Sequence, residues 1–121
     1  MLQVYVRTLG EVTVVCLRGR VGVEDVSTLR HAVLSQLDKA AVILDFSHVS
    51  GIDAAGLGLL LELRKHSLTK HIEFKIMNVT PLIRQVFAIT CLDSIFQISA
   101  EANAPIVRGR VATSLRLPAC A

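Results

Sequence analysis

The sequence predicts an α/β fold: a mixed sheet of four or five strands, opened by an antiparallel hairpin, with helices mainly on one face. Three observations predict it. Two runs rich in β-branched residues, Leu2-Gln3-Val4-Tyr5-Val6 and Val12-Thr13-Val14-Val15-Cys16-Leu17, flank Gly10-Glu11. The short apolar run Ala41 to Phe46 has the composition of a central strand buried on both sides. After it, strand-like runs alternate with helical periodicity, the pattern that produces parallel crossovers.

The two opening runs suit an antiparallel hairpin, because a glycine sits between two strand-forming segments. Gly19 then breaks the strand pattern. From about Val23 a helical period appears, with Val26, Leu29, Val33 and Leu37 on one face. A second helix is expected from about Ala54 to Thr69. On its wheel Gly58, Glu62, Lys65, His66 and Thr69 share one side, and Leu57, Leu60, Leu61 and Leu68 point the opposite way. Leu59 and Leu63 flank them and widen the apolar arc to about 200°, more than a helix resting on a sheet needs. The surplus calls for a neighbouring helix or a partner surface.

Ile72 to Met77 alternates and suits the next strand. Thr80-Pro81 is a helix start: the hydroxyl can cap free amides, and proline suits the first helical position. Leu82, Val86 and Ile89 are expected to face inward, with the helix ending near Thr90. Ile95 to Ile98 makes a last short strand. Ser99 to Asn103 can begin a short helix, which Pro105 and Gly109 interrupt. Residues 1–100 therefore read as one domain. Residues 101–121 read as a tail, with Arg108 to Ala121 expected to be mobile or weakly docked.

Bulk properties narrow the function. At 121 residues and 52% hydrophobic, the chain can bury one substantial core. No run approaches the roughly 18 uninterrupted apolar residues that a membrane helix needs; the richest, Ile52 to Leu63, is cut by Asp53 and Glu62. Met1 to Arg7 lack the layout of a signal peptide. A cytoplasmic protein without membrane insertion is expected. Arg108, Arg110 and Arg116 supply much of the net charge of +3, and an aromatic content of 4% leaves no base-stacking platform. Nucleic acid is therefore not an expected partner. Three cysteines, Cys16, Cys91 and Cys120, argue against a disulfide framework by their odd count and wide spacing. No closely spaced His/Cys cluster suggests zinc. His31, His66 and His71 suit solvated surfaces.

The most specific stretch runs from Val42 to Gly58: Val-Ile-Leu-Asp45-Phe-Ser47-His48-Val-Ser50-Gly-Ile52-Asp53-Ala54-Ala55-Gly56-Leu-Gly58. It reads as a buried strand, a loop from Ser47 to Ile52, a turn and the start of an apolar helix. Asp53 suits the helix cap, where free amides favour negative charge. Asp45, ending the strand, suits holding the loop by its amides. Ser47 beside His48 brings a Ser-His pair to mind, but neighbours in sequence rarely face each other productively. No nucleophile, base and stabiliser come together, and Gly56-Leu57-Gly58 is too sparse for a nucleotide motif. No catalytic residue, metal or cofactor is assigned.

This stretch resembles the signature of the STAS family, named for sulfate transporters and anti-sigma factor antagonists. Gly19, Pro81 and Leu92-Asp93-Ser94-Ile95-Phe96 extend the resemblance over about residues 3 to 100. It implies the antagonist-type fold and a protein-interaction module, not an enzyme. In the family the turn usually reads Asp-Ser-Ser-Gly or Asp-Ser-Thr-Gly, and one hydroxyl is phosphorylated. Here both matching positions are alanine, Ala54 and Ala55, which cannot accept a phosphoryl group. Ser50 is a candidate alternative phosphosite.

The resemblance implies a partner, an anti-sigma factor of the GHKL-type serine kinase class, whose capture frees a sigma factor for transcription. It also implies a binding surface of Asp45, Ser47, Ser50, Ile52, Asp53, Ala54, Ala55, Gly56, Gly58 and Leu59, with Asp45 and Asp53 forming an acidic patch and Leu63 adding apolar contact. Three alternatives stay open: a STAS subunit of a signalling scaffold or lipid-transport ATPase complex, a small-ligand-binding STAS domain, and a homodimer through the leucine-rich flank. Family members often carry glycine where Cys91 stands. Cys91 must therefore take a positive φ, at roughly 1 kcal/mol, or end its helix by another geometry.

Overall fold

The hairpin forms where a glycine permits it. β1 (Gln3–Leu9) and β2 (Val12–Val21) pair antiparallel, with Leu9 opposite Val12. Gly10 turns the chain at φ 59°, a left-handed conformation glycine enters without steric cost. The structure is a computed structural model that describes residues 2–36 and 38–99.

After β2 a short 3-10 turn, Val23–Asp25, leads into α1 (Val26–Leu34). Leu29 and Val33 of α1 are buried as the period predicts; Leu37 lies outside the described residues. β3 (Ala41–Ile52) follows, then α2 (Ala54–Thr69), β4 (Glu73–Met77), α3 (Pro81–Ile89) and β5 (Gln97–Ser99). The sheet has five strands in the order β1-β2-β3-β4-β5, and every pairing after the hairpin is parallel.

All three helices cover one face. Leu29 and Val33 from α1, Leu59, Leu60 and Leu63 from α2, and Ile83 and Phe87 from α3 pack on Val15, Leu17, Val42, Leu44, Phe46 and Ile76. Each such leucine or phenylalanine contributes about 1.5–3 kcal/mol by leaving water. The opposite face carries a smaller buried cluster of Val12, Val14, Cys16, Ala41, Ile43 and Met77.

Several expectations are corrected. The segment Ser47 to Ile52 is not a loop but the second half of β3. It pairs with β2 through Arg18–His48, Gly19–Val49, Arg20–Gly51 and Val21–Ile52, with register shifts that bend the ladder. α2 has the expected bounds but a different inward face: Gly56, Leu59, Leu60, Leu63 and Ser67 are buried, while Leu61 and Leu68 are exposed. Leucines surround this helix, so its apolar content does not choose a rotation; the glycine that must touch β2 does. α3 likewise buries Ile83 and Phe87, and leaves Leu82 and Ile89 exposed. The Phe87 ring lies 6.2 Å from that of Phe46 and 5.7 Å from that of Phe96, and this aromatic contact sets the helix rotation.

Thr80 caps α3 as its sequence predicts, its hydroxyl accepting from the Ile83 amide at 3.4 Å. Cys91 takes φ 61°, the strained option. Cys91 is free and exposed. Ser99 ends β5. The rest of the expected Ser99 to Asn103 helix and the tail from Arg108 lie outside the described residues.

Candidate functional site

β3 delivers its last residues to the end of the sheet where α2 begins, and Asp53 makes the junction. Its backbone is extended at φ −106°, and its side chain accepts from the Gly56 amide at 2.9 Å through Oδ1. The other oxygen, Oδ2, accepts from the Val23 amide at 3.1 Å. One carboxylate therefore caps α2 and also anchors the turn that precedes α1. The main chain of Asp53 adds two bonds, donating to the Val21 carbonyl at 3.2 Å and accepting from the Leu57 amide at 3.0 Å. The Gly56 amide, opposed by desolvation and helped by the Val23 amide, the Arg20 charge and the Ala55 amide, holds the Asp53 carboxyl below the usual carboxylate range.

Gly56 seats the first turn of α2 on β2. A Cβ there would lie 2.7 Å from the Val21 carbonyl oxygen and 2.8 Å from Ile52 Cγ1, so no side chain fits. Gly58 differs: a Cβ there meets nothing within 4 Å, and the residue is exposed. Ala54 is exposed and Ala55 half-buried, so the turn presents methyl groups and no hydroxyl.

The predicted contact residues separate by burial. Ser47, Ser50, Ala54 and Gly58 are exposed; Ile52, Asp53 and Ala55 are half-buried. Asp45, Gly56 and Leu59 are buried, which removes them from a contact surface. Leu63 is fully buried as well. Asp45 lies opposite Cys16 and Met77 in the sheet. Its Oδ1 accepts from the Ser47 amide at 2.8 Å, the expected holding role, and Asn78 Nδ2 lies at 3.5 Å. Asp45 and Asp53 thus form no shared acidic patch: one is sealed in the sheet and the other is bound at a helix start. Ser47 and His48 do meet, with Oγ 3.0 Å from Nδ1, against the expectation for adjacent residues.

Two features carry no local sequence signal. Arg20, Gly22, Val23, Glu24 and Asp25 surround Asp53 in a hollow of about 140 Å³. That is smaller than the roughly 300 Å³ at which ligand pockets begin, and its side chains are mostly acidic. The second is the Arg30–Glu62 pair, with Nε to Oε2 at 2.6 Å and a further nitrogen to Oε1 at 3.1 Å. It ties α1 to α2 across part of the surface that the wheel assigned to solvent. The Arg30 hydrogen bond, opposed by desolvation, lowers the Glu62 carboxyl. Among the described residues there is no cluster of three metal-ligating side chains, and no helix is long and apolar enough to cross a membrane.

The STAS domain family profile matches residues 3–104. A STAS-domain containing protein of Pseudomonas aeruginosa (strain UCBPP-PA14) is 30% identical over 57 residues, which is 47% of this chain; the match spans only 56% of that relative's length. Among solved structures, an anti-sigma factor antagonist from Mycobacterium paratuberculosis superposes with a TM-score of 0.73 at 23% identity, covering 82% of this chain and 86% of that one. A putative anti-sigma factor antagonist from Thermotoga maritima gives 0.73 at 20% identity, covering 80% and 86%. The Bacillus cell fate determinant SpoIIAA in its phosphorylated form gives 0.63 at 21% identity, covering 83% and 91%. At these identities the structures share the fold. With the family profile spanning the whole sheet and all three helices, this chain belongs to the STAS domain family.

Proposed function

We propose that this protein is a cytoplasmic interaction module of the anti-sigma factor antagonist type, and that it binds its partner without a phosphorylation switch on the α2 turn. The recognition surface is the exposed part of the β3–α2 junction: Ser47, Ser50, Ala54 and Gly58, bordered by Ile52, Asp53 and Ala55. The partner class is an anti-sigma factor of the GHKL-type serine kinase kind, and the outcome of binding is release of a sigma factor. One observation carries the reading: the start of α2 is held by Asp53 and Gly56, yet shows solvent no hydroxyl, with Ala54 and Gly58 exposed and Ala55 and Leu57 half-buried. A phosphate at this turn would bring nearly two negative charges beside the Asp53 carboxylate and repel it. With no hydroxyl at Ala54 or Ala55, the binding-competent surface is permanent.

The test uses Gly58→Arg, which adds bulk and charge where a side chain meets open space. Tagged wild type should recover an anti-sigma kinase from the native cytoplasm, with no phosphate on Ser47 or Ser50 after incubation with ATP. Gly58→Arg should lose about tenfold or more in affinity for that kinase, as a residue central to an interface does. Leu82→Arg, on the exposed side of α3, should not. Recovery of a transport ATPase or scaffold instead would replace the sigma-factor reading, and phosphate on Ser50 would restore a switch.

A further inference from the structure

We propose that β1 is an association edge, through which two copies of this chain pair their sheets antiparallel about a two-fold axis at Val6. β1 is an outermost strand: β2 pairs with one side of it, and among the described residues no strand pairs with the other. An edge strand offers a row of free N–H and C=O groups, which proteins usually blunt by shortness, proline, lysine or a bulge. β1 has none of these devices. It runs seven residues, Gln3–Leu9, without proline or lysine, and pairs with β2 in unbroken register. Tyr5 and Val6 stand 50% and 43% exposed in its middle.

The hairpin fixes which backbone groups are free. Gly10 and Glu11 form the two-residue connection, and of the two only Gly10 has a positive φ, as a type II′ turn requires. Such a turn closes on a hydrogen-bonded pair, Leu9 with Val12. Residues of an antiparallel strand then alternate. Leu9, Arg7, Tyr5 and Gln3 turn their backbone groups to β2, and Thr8, Val6 and Val4 turn theirs outward. Val6 is the middle residue both of the strand and of this outward set.

The sequence of β1 is complementary to its own reverse about Val6. The axis sets Val6 against Val6, Val4 against Thr8 and Tyr5 against Arg7. The first two are hydrogen-bonded pairs, so the outward groups of Val4, Val6 and Thr8 all find partners. Tyr5 and Arg7 fall in non-hydrogen-bonded pairs, where side chains approach most closely, and a guanidinium over a phenol ring is attracted to it. Arg7 is the one charged residue of β1, and this register keeps its two copies from facing each other. An axis at Arg7 would oppose them directly, which destabilises a sheet. This self-complementarity names a second copy as the occupant. The β3–α2 junction uses no residue of β1, so partner binding there and this pairing are separable.

Sedimentation equilibrium of the full chain at up to about 1 mM, the reach of a weak interface, should show monomer and dimer in exchange. Val6→Pro removes the outward N–H of each copy at the axis, and an edge strand tolerates proline where the N–H faces solvent. It should weaken the dimer at least ~10-fold, the loss of two hydrogen bonds, while dilute protein keeps its urea midpoint. Val6→Lys places two ammonium groups across the axis and should weaken the dimer as well, whether or not the proline variant folds. A chain that stays monomeric throughout would overturn the proposal. So would a dimer that both variants leave intact, because its interface would lie elsewhere.

The register has its own readout. Tyr5→Arg sets like charges opposite each other and should weaken the dimer, and adding Arg7→Glu should restore it through two ion pairs. By hydrogen exchange, the Val4, Val6 and Thr8 amides should slow as concentration rises, while those of Tyr5 and Arg7 stay slow at every concentration. Failure of the charge rescue would overturn the axis at Val6. Outward amides that are slow even in dilute protein would mean that another part of the same chain occupies the edge, and would overturn the pairing.

Discussion

α2 starts on a carboxylate and α3 on a hydroxyl, and the two caps reach different distances into the fold. Thr80 accepts one amide, three residues ahead, at 3.4 Å. Its work is local, and nothing beyond the first turn of α3 depends on it. Asp53 accepts the Gly56 amide with one oxygen and the Val23 amide, thirty residues back, with the other. A hydroxyl has its acceptor sites on a single oxygen, whereas the forked carboxylate offers a separate oxygen to each element. The difference explains why the candidate surface sits at α2: its backbone is held from two sides, by Asp53 and by the close seat of Gly56 on β2. An interaction surface gains when its loops are pre-organised, since less freedom is lost on binding.

The largest break in this comparison should come from Gly56→Val. Its Cβ would overlap the Val21 carbonyl and Ile52, so urea unfolding should show a loss of about 3 kcal/mol, as overpacking does. Circular dichroism melts would check that the loss is in stability and not only in binding. If the variant matches wild type, α2 does not sit as closely on β2 as described.

Asp53→Ala should come next and exceed the loss from Thr80→Ala, because it releases two elements where the other frees one. Hydrogen exchange would separate them: Asp53→Ala should expose amides at both Val23 and Gly56, Thr80→Ala only those at the start of α3. The charge itself is read by Asp53→Asn, which keeps a capping oxygen. The folded Asp53 carboxyl titrates below its ordinary value of 3.8. Its ionic contribution is therefore complete above that unfolded value and is lost as pH falls through the lower folded value. The stability gap between wild type and Asp53→Asn should be largest near neutral pH and close in strong acid.

Thr80→Ala should cost about 1 kcal/mol, the usual value of a hydroxyl cap. Gly58→Ala should be the smallest change and of opposite sign, a gain of about 0.5 kcal/mol from a less free unfolded chain. Beside Gly56→Val it isolates the meaning of each glycine: one is required by a close approach, the other leaves open surface. A destabilised Gly58→Ala would mean that the space beside Gly58 is occupied.

Local chemistry made much of this legible in advance. The hairpin glycine, the central apolar strand, the Thr80-Pro81 start and the Asp53 cap each depend on residues within a few positions of one another. So did the absence of a hydroxyl at Ala54 and Ala55, which shapes the functional reading. The positive φ of Cys91 was likewise open to inference from its place at a helix end.

Apart from Ser47 to Ile52, the sequence by itself determined which described segments form the main strands and helices, and where the Asp53 and Thr80 caps lie, because periodicity and capping are properties of neighbours. Only the tertiary structure decided which side of α2 and of α3 is inside. Leucines circle α2 and apolar residues circle α3, so the choice fell to long-range contacts: Gly56 against Val21, and Phe87 between Phe46 and Phe96. The same is true of Asp45 sealed in the sheet, of Ser47 to Ile52 held in β3 by β2, and of Arg20 and Val23 drawn to Asp53. These partners are distant in the chain, and their pairing depends on packing the whole core at once, which no local pattern of residues encodes.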